Sequence, residues 1–248
     1  MAALRDTNWR DAYRRWNDAR RRLFFRWTLK RRQGGLFLLD RSSGLDRHVI
    51  KRGSWEAEQI AMLESLARAA KRAGQRAIFL DVGSYFGLYA LHMARTGLFD
   101  EVHAFEANPV NFAQLQATLL LNEAVGAIDA KLCAVGDRRG TIRVAPPNRR
   151  DRGASPIDAP GEGGFTVDAI ALDDHFGGRA GELIVVKIDV EGHEAAVLRG
   201  MGEMAKNGTI VLQIEILRES AGTTRADLAA LGFTVVAERY PDVWLRKD

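Results

Sequence analysis

Phe79-Leu80-Asp81-Val82-Gly83-Ser84-Tyr85-Phe86-Gly87 is the stretch that decides the fold of this 248-residue chain. An apolar run, short enough for a buried strand, ends in an acid and passes through a glycine turn into a helical pattern. Gly83 lets the backbone turn sharply and approach a ligand, and Gly87 lets the following helix sit close to the strand. The spacing is not Gly-x-Gly-x-x-Gly, and the strand closes on the carboxylate of Asp81. A pyrophosphate would be repelled by that charge, whereas the ammonium and sulfonium of S-adenosylmethionine would be attracted. A cationic nucleoside ligand is therefore expected in place of a dinucleotide, and a dehydrogenase is disfavoured.

Outward from this loop, short apolar strands alternate with helices, the pattern of a parallel sheet covered on both faces. Ala77 to Val82 is the first strand and Val102 to Glu106 the second. Asn108 then caps a helix with Pro109 at its first position, running to about Asn122. Ala130 to Val135 reads as a third strand, Gly140 to Val144 as a return strand, and Phe165 to Ile170 as another. Leu172 to Phe176 is a short helical piece in which Asp173 and Asp174 read as a helix start. Leu183 to Asp189 is the fourth parallel strand, with a helix from about His193 to Met201. Thr209 to Ile216 is the fifth, followed by a helix over Thr223 to Leu231 and a hairpin of Phe233 to Glu238 with Val243 to Arg246.

Ahead of the sheet, Leu36 to Asp40 and His48 to Lys51 read as strands joined at Ser42-Ser43-Gly44, and Ser54 as the N-cap of a helix that ends near Gly74. The first 33 residues hold eleven Lys/Arg against three Asp, so this arm carries +8 of a net +4 and the body that follows is mildly acidic. Trp9, Tyr13, Trp16, Leu23, Phe24 and Trp27 recur there at helical spacing, which predicts one or two amphipathic helices. The division expected is a basic helical arm with a short hairpin over 1–53 and a ligand-binding domain over 54–248. Residues 145 to 164, rich in Pro and Gly with Arg149, Arg150 and Arg152, form a long loop able to close over an acceptor.

Glu106 ends the second strand, where an acid accepts hydrogen bonds from both hydroxyls of a ribose. Ser84 and Tyr85 lie in the glycine turn, and a tyrosine face there would cover a sulfonium. Ala107 and Asn108 follow Glu106, and backbone groups around Ala134 would border an adenine. The second cluster is Lys187-Ile188-Asp189-Val190-Glu191-Gly192-His193-Glu194, at the carboxyl end of the fourth strand and next to the first across the switch point. Lysine, acids and a histidine are costly to bury there unless they pair or act. Asp189 is the expected base or acceptor-orienting carboxylate, with Lys187 and Glu191 orienting it, His193 the competing base, and Glu215 in the acceptor pocket. A divalent ion on Asp189, Glu191 and His193 is disfavoured, because alternate residues on an extended chain point opposite ways, and no metal is expected. Cys133 reads as a small buried residue without a partner thiol.

Four blocks, Asp81-Val82-Gly83 with Gly87, Phe105-Glu106-Ala107-Asn108-Pro109, Leu172-Asp173-Asp174, and Lys187-Ile188-Asp189-Val190-Glu191-Gly192 with Glu194, resemble in order and spacing the FkbM-type methyltransferases. The likeness extends from about Gly53-Ser54-Trp55-Glu56 to Glu215. It implies a Rossmann-like class I methyltransferase fold of the α/β class, with a mostly parallel seven-stranded sheet and a C-terminal antiparallel hairpin. It further implies S-adenosylmethionine as cofactor and O-methylation of a sugar, polysaccharide, glycolipid or related natural product. Ser84-Tyr85-Phe86 departs from the Ala-Asn-Ile usual in that family. The competing readings are a scaffold protein that keeps the fold without catalysis and an RNA methyltransferase using the basic arm. The arm itself is read first as packing in a homodimer or on its own body, then as contact with an anionic membrane, with nucleic acid last. No apolar run reaches the ~20 residues that span a bilayer. The start lacks a secretory signal, so a cytoplasmic protein is expected, with peripheral contact at the inner membrane face.

Overall fold

The computed structural model describes residues 13, 16, 26–146, 164–218 and 221–248. A hairpin of β1 (Trp27–Arg32) and β2 (Gly35–Asp40) leads into α1 (Gly44–Arg52) and α2 (Ala57–Ala70). The sheet then begins with β3 (Ala77–Val82), α3 (Leu88–Arg95), β4 (Glu101–Glu106), α4 (Pro109–Leu121) and β5 (Asp129–Leu132). A small side sheet of β6 (Ala134–Val135), β7 (Gly140–Val144) and β8 (Phe165–Ile170) interrupts it. The chain continues through α5 (Asp173–Phe176), β9 (Leu183–Ile188), α6 (Glu194–Arg199), α7 (Gly202–Asn207), β10 (Thr209–Glu215), α8 (Ala221–Ala230), β11 (Thr234–Arg239) and β12 (Asp242–Lys247).

Seven strands pair in the order β11-β12-β10-β9-β3-β4-β5. All run parallel except β12, which is antiparallel to both of its neighbours. The predicted α/β fold with a C-terminal antiparallel hairpin is therefore present. Strand β3 is buried along its whole length because both of its faces are covered. Ala77 and Phe79 pack with the hairpin and α1 to α4, while Ile78, Leu80 and Val82 pack with α5 to α8. The chain turns back on the two sides of β3, so the carboxyl ends of β3, β4, β9 and β10 share one rim, where such sheets bind ligands.

The elements ahead of β3 differ from the sequence reading. His48 to Lys51 lies in α1, and the partner of β2 is β1. Val49 and Ile50 favour a strand, but end chemistry prevails: Ser43 accepts from the Asp46 N–H, and Gly53 closes the helix at φ 86°. Trp27, Lys30, Arg31 and Arg32, expected in a helical arm, belong to β1, whose outer face exposes Trp27, Leu29 and Arg31. Ser54 does not cap α2. Glu56 takes that position at φ 47° and sends its carboxylate to the Tyr89 hydroxyl, 2.8 Å away. Phe37, Leu39 and Val49, ahead of residue 53, share one core with Leu63, Phe79 and Leu91. Tyr13 and Trp16 are helical and more than half exposed, and the rest of the arm as far as residue 25 lies outside the described residues. So do residues 147–163 of the predicted loop.

Two further elements depart from expectation. The third strand breaks at Cys133, so β5 pairs with β4 in the main sheet whereas β6 pairs with β8 in the side sheet. The helix after β9 stops at Arg199, and a new one, α7, starts where Asp173 accepts from the N–H groups of Glu203 (2.9 Å) and Met204 (2.8 Å). Asp173 thus caps a helix 30 residues downstream of itself. Among the described residues, no helix is long and apolar enough to cross a membrane.

Candidate active site

A cavity of about 460 Å³ opens at the carboxyl rim of the sheet. That volume falls within the range of small-molecule sites. Its walls are the β3–α3 loop (Gly83, Tyr85), the end of β4 (Phe105 to Asn108), Cys133 to Val135 at β6, Val144, Asp189 to Glu191 after β9, and Glu215. A wall that the motif reading did not supply comes from ahead of the sheet: Gly44, Leu45, His48, Trp55 and Glu56.

Tight backbone contact builds the loop. Gly83 and Ser84 both donate to the Phe105 carbonyl at 3.0 Å, and the Ser84 hydroxyl donates to the Asp81 carbonyl at 2.7 Å. A β-carbon on Gly87, at φ 83°, would stand 2.4 Å from Leu115 of α4, so that glycine serves helix packing as well as the turn. Asp81, Ser84 and Gly87 stand behind the wall and do not line it. Asp81 is buried, and one of its oxygens accepts from the Ala90 N–H at 3.0 Å while the other has no partner. Burial raises its carboxyl to about 6 against the pull of Lys187.

Glu106 lies on the wall itself. One oxygen accepts from the Tyr85 N–H and the other from the Asn108 N–H, both at 2.8 Å. Burial pushes its carboxyl up to about 7, although three hydrogen bonds favour the ionised form. Asn108, also on the wall, caps α4 by accepting from the Val110 N–H. Ala107 and Ala134 extend this end as an apolar slot with Phe105, Cys133, Val135 and Val144. The thiol of Cys133 is held up at about 11 by burial, an inert setting.

At the opposite end stand the charged residues of β9. Lys187 is buried and donates to Asp189 at 3.1 Å and to the Gly83 carbonyl at 3.2 Å, with its ammonium 5.2 Å from the centre of the Tyr89 ring. Despite burial, the carboxylates of Asp189, Asp81 and Glu56 hold this ammonium above the ordinary lysine range. Glu215 reaches Asp189 from the neighbouring strand. Burial, the Asp189 carboxylate and Glu191 together hold the Glu215 carboxyl well above its usual range. These neighbours push the Glu215 carboxyl toward its protonated form. Glu191, on the wall, adopts φ 52°. His193 is not on the wall: it caps α6, and its Nε2 abuts Gly136 at the tip of β6.

Sequence reasoning therefore picked residues at both ends of one cavity, and missed His48, Trp55 and Glu56. Trp55 is fastened through a two-way amide pairing with Gln33, and His48 meets its ring edge-on at 5.1 Å. The one available signal was the Trp55-Glu56 pair, at the start of the stretch whose sequence resembles the FkbM-type methyltransferases. Among the described residues, no group of three or more His, Cys, Asp or Glu could hold a metal ion.

A doubly wound sheet with an antiparallel β12 and an acid-rimmed cavity over β3, β4 and β9 defines the class of S-adenosylmethionine-dependent methyltransferases. Within it, the chain belongs to the FkbM methyltransferase family, whose domain, described as Methyltransferase FkbM domain, matches residues 81–235. Similar proteins include the 31-O-demethyl-FK506 methyltransferase FkbM of Streptomyces tacrolimicus, 29% identical over 199 residues that cover 66% of this chain and 75% of that one. The hexuronic acid methyltransferase AglP of Haloferax volcanii is 30% identical over 155 residues, 62% of this chain and 60% of that one. Among solved structures, a SAM-dependent methyltransferase from Agrobacterium tumefaciens matches with a TM-score of 0.49 at 14% identity, covering 90% of this chain and 70% of that one.

Proposed function

We propose that the cavity methylates a hydroxyl of a sugar, a glycan or a related natural product, with Glu106 holding the cofactor's ribose and Asp189 serving the acceptor. The observation that carries this reading is the pairing of Asp189 with Lys187 and Glu215 at one end of the cavity whose other end presents Glu106. The donor set suits the cofactor. Glu106 has both oxygens oriented by backbone N–H groups and can accept a diol, the apolar slot beside it fits a flat base, and carboxylates at the far end favour a positive charge.

When bound, the cofactor supplies an electrophilic methyl group on its sulfonium. Asp189 orients the acceptor oxygen in line and takes its proton as the oxygen–carbon bond forms and the carbon–sulfur bond breaks. Lys187 holds Asp189 by an ion pair and is itself anchored on the loop carbonyl of Gly83. Glu215, whose carboxyl is raised toward its protonated form, steadies it from the other side. A relative named for 31-O-demethyl-FK506 supports an oxygen acceptor, and one named for a hexuronic acid supports an acceptor of the sugar class.

Calorimetry with S-adenosylhomocysteine and with NAD, followed by transfer of labelled methyl to methyl glycosides, tests the reading. Asp189→Asn is expected to bind S-adenosylhomocysteine as the parent does and to lose turnover by at least about 100-fold. Parental turnover in that variant would remove Asp189 from its role.

A further inference from the structure

The Tyr85 hydroxyl donates to Asp46 at 2.7 Å and lies 3.0 Å from the Ser43 hydroxyl, while its own backbone N–H donates to Glu106. Tyr85 holds φ at 49°, a conformation that a bulky L-residue keeps only when its surroundings impose it. Asp46 is fully buried in α1. Its other oxygen accepts from the Asp40 N–H at 2.6 Å and from Gln114 Nε2 at 2.8 Å. Gln114 belongs to α4, the helix that begins just after Glu106. A single carboxylate ahead of the sheet thus grips both segments that frame the wall acid, the β3–α3 loop through Tyr85 and α4 through Gln114.

We infer that Asp46 is a positioning residue for the cofactor's nucleoside end, acting through Tyr85, whose clamped hydroxyl keeps the backbone turned so that its N–H orients Glu106. Neither Asp46 nor Ser43 lies in the region matched by the family domain. The inference rests on reading Glu106 as the ribose acid. Asp46 touches no ligand; it fixes the geometry of a residue that does, and loss of a charge-assisted hydrogen bond in such a chain shows up as weaker binding.

The test is binding of S-adenosylhomocysteine and steady-state kinetics for Tyr85→Phe, Asp46→Asn, the double variant and Glu106→Gln, all well below their unfolding temperatures. Tyr85→Phe keeps the ring and is expected to raise Kd and donor KM about tenfold. kcat at saturating donor should stay within about twofold, a split that a general loss of stability would not produce. Asp46→Asn should behave likewise, and the double variant should fall no further than either single one. If Asp46→Asn does not fold, Tyr85→Phe decides alone. Parental affinity in Tyr85→Phe together with weakened binding in Glu106→Gln would overturn the positioning role, whereas parental affinity in Glu106→Gln would remove the ribose assignment on which it rests.

Discussion

Gly83 and Asp189 meet backbone to backbone: a β-carbon on Gly83 would stand 1.8 Å from the Asp189 carbonyl oxygen. The glycine is required by the neighbouring strand as much as by any ligand. With φ at 82° as well, Gly83→Ala is expected to cost about 3 kcal/mol or more in urea unfolding and to abolish binding of S-adenosylhomocysteine. A variant of parental stability would mean that the two loops part easily.

Removal of the buried cation should be severe and pH-dependent. Lys187→Met leaves Asp189, Asp81 and Glu56 without their shared counter-charge, with an expected loss of about 3–5 kcal/mol at pH 8. Buried acids whose carboxyls are raised bind more protons folded than unfolded, so stability declines as pH rises through the carboxylate range. The deficit should therefore shrink toward pH 4.5, as unfolding curves at the two pH values would reveal.

Affinity for the cofactor product should itself titrate. Glu106 has its carboxyl raised to about 7, and hydroxyl donors from a ribose favour its ionised form. Binding is expected to release a proton near pH 6.5 and to tighten by up to about tenfold per pH unit until about pH 7, then level off. Calorimetry in buffers of different ionisation heat measures that release directly. A flat profile would place the ribose elsewhere.

Because burial and its acidic neighbours push the Glu215 carboxyl toward its protonated form, an amide should replace it well. Glu215→Gln is expected to turn over within about threefold of the parent at neutral pH, and Glu215→Ala to lose about tenfold or more. Equal loss in both variants would point to an ionised Glu215.

The sequence was most readable where burial alone determines structure. Ile78 to Leu80 and Leu183 to Val186 are unbroken apolar runs, and both lie in central strands. The acids ending strands β3 and β4 could be located for the same reason. Reading failed where capping competed with side-chain preference, as at Val49 and Ile50 in α1, and where partners lie far along the chain. Nothing near Cys133 announces that Ala134 will pair with Ala169 in place of continuing β5. Gly200 offers no local clue that its missing β-carbon makes room for the Gly136 carbonyl, which would lie 2.0 Å away. His193 looked chemically apt but faces Gly136, whereas His48 and Trp55 reach the cavity only because hairpin and helix fold over the sheet.

The placement of β12 bears on how this protein could be divided. It runs from Asp242 to Lys247, beyond the last residue of the family match, yet pairs between β10 and β11. A recombinant fragment trimmed to residues 81–235 would bare the edge of β10 that pairs with β12 and would lose Ala77 to Leu80 of the central strand β3 together with the hairpin and α1 that pack on Phe79. Such a piece would self-associate instead of folding, so the smallest autonomous unit is longer than the segment that identifies its family.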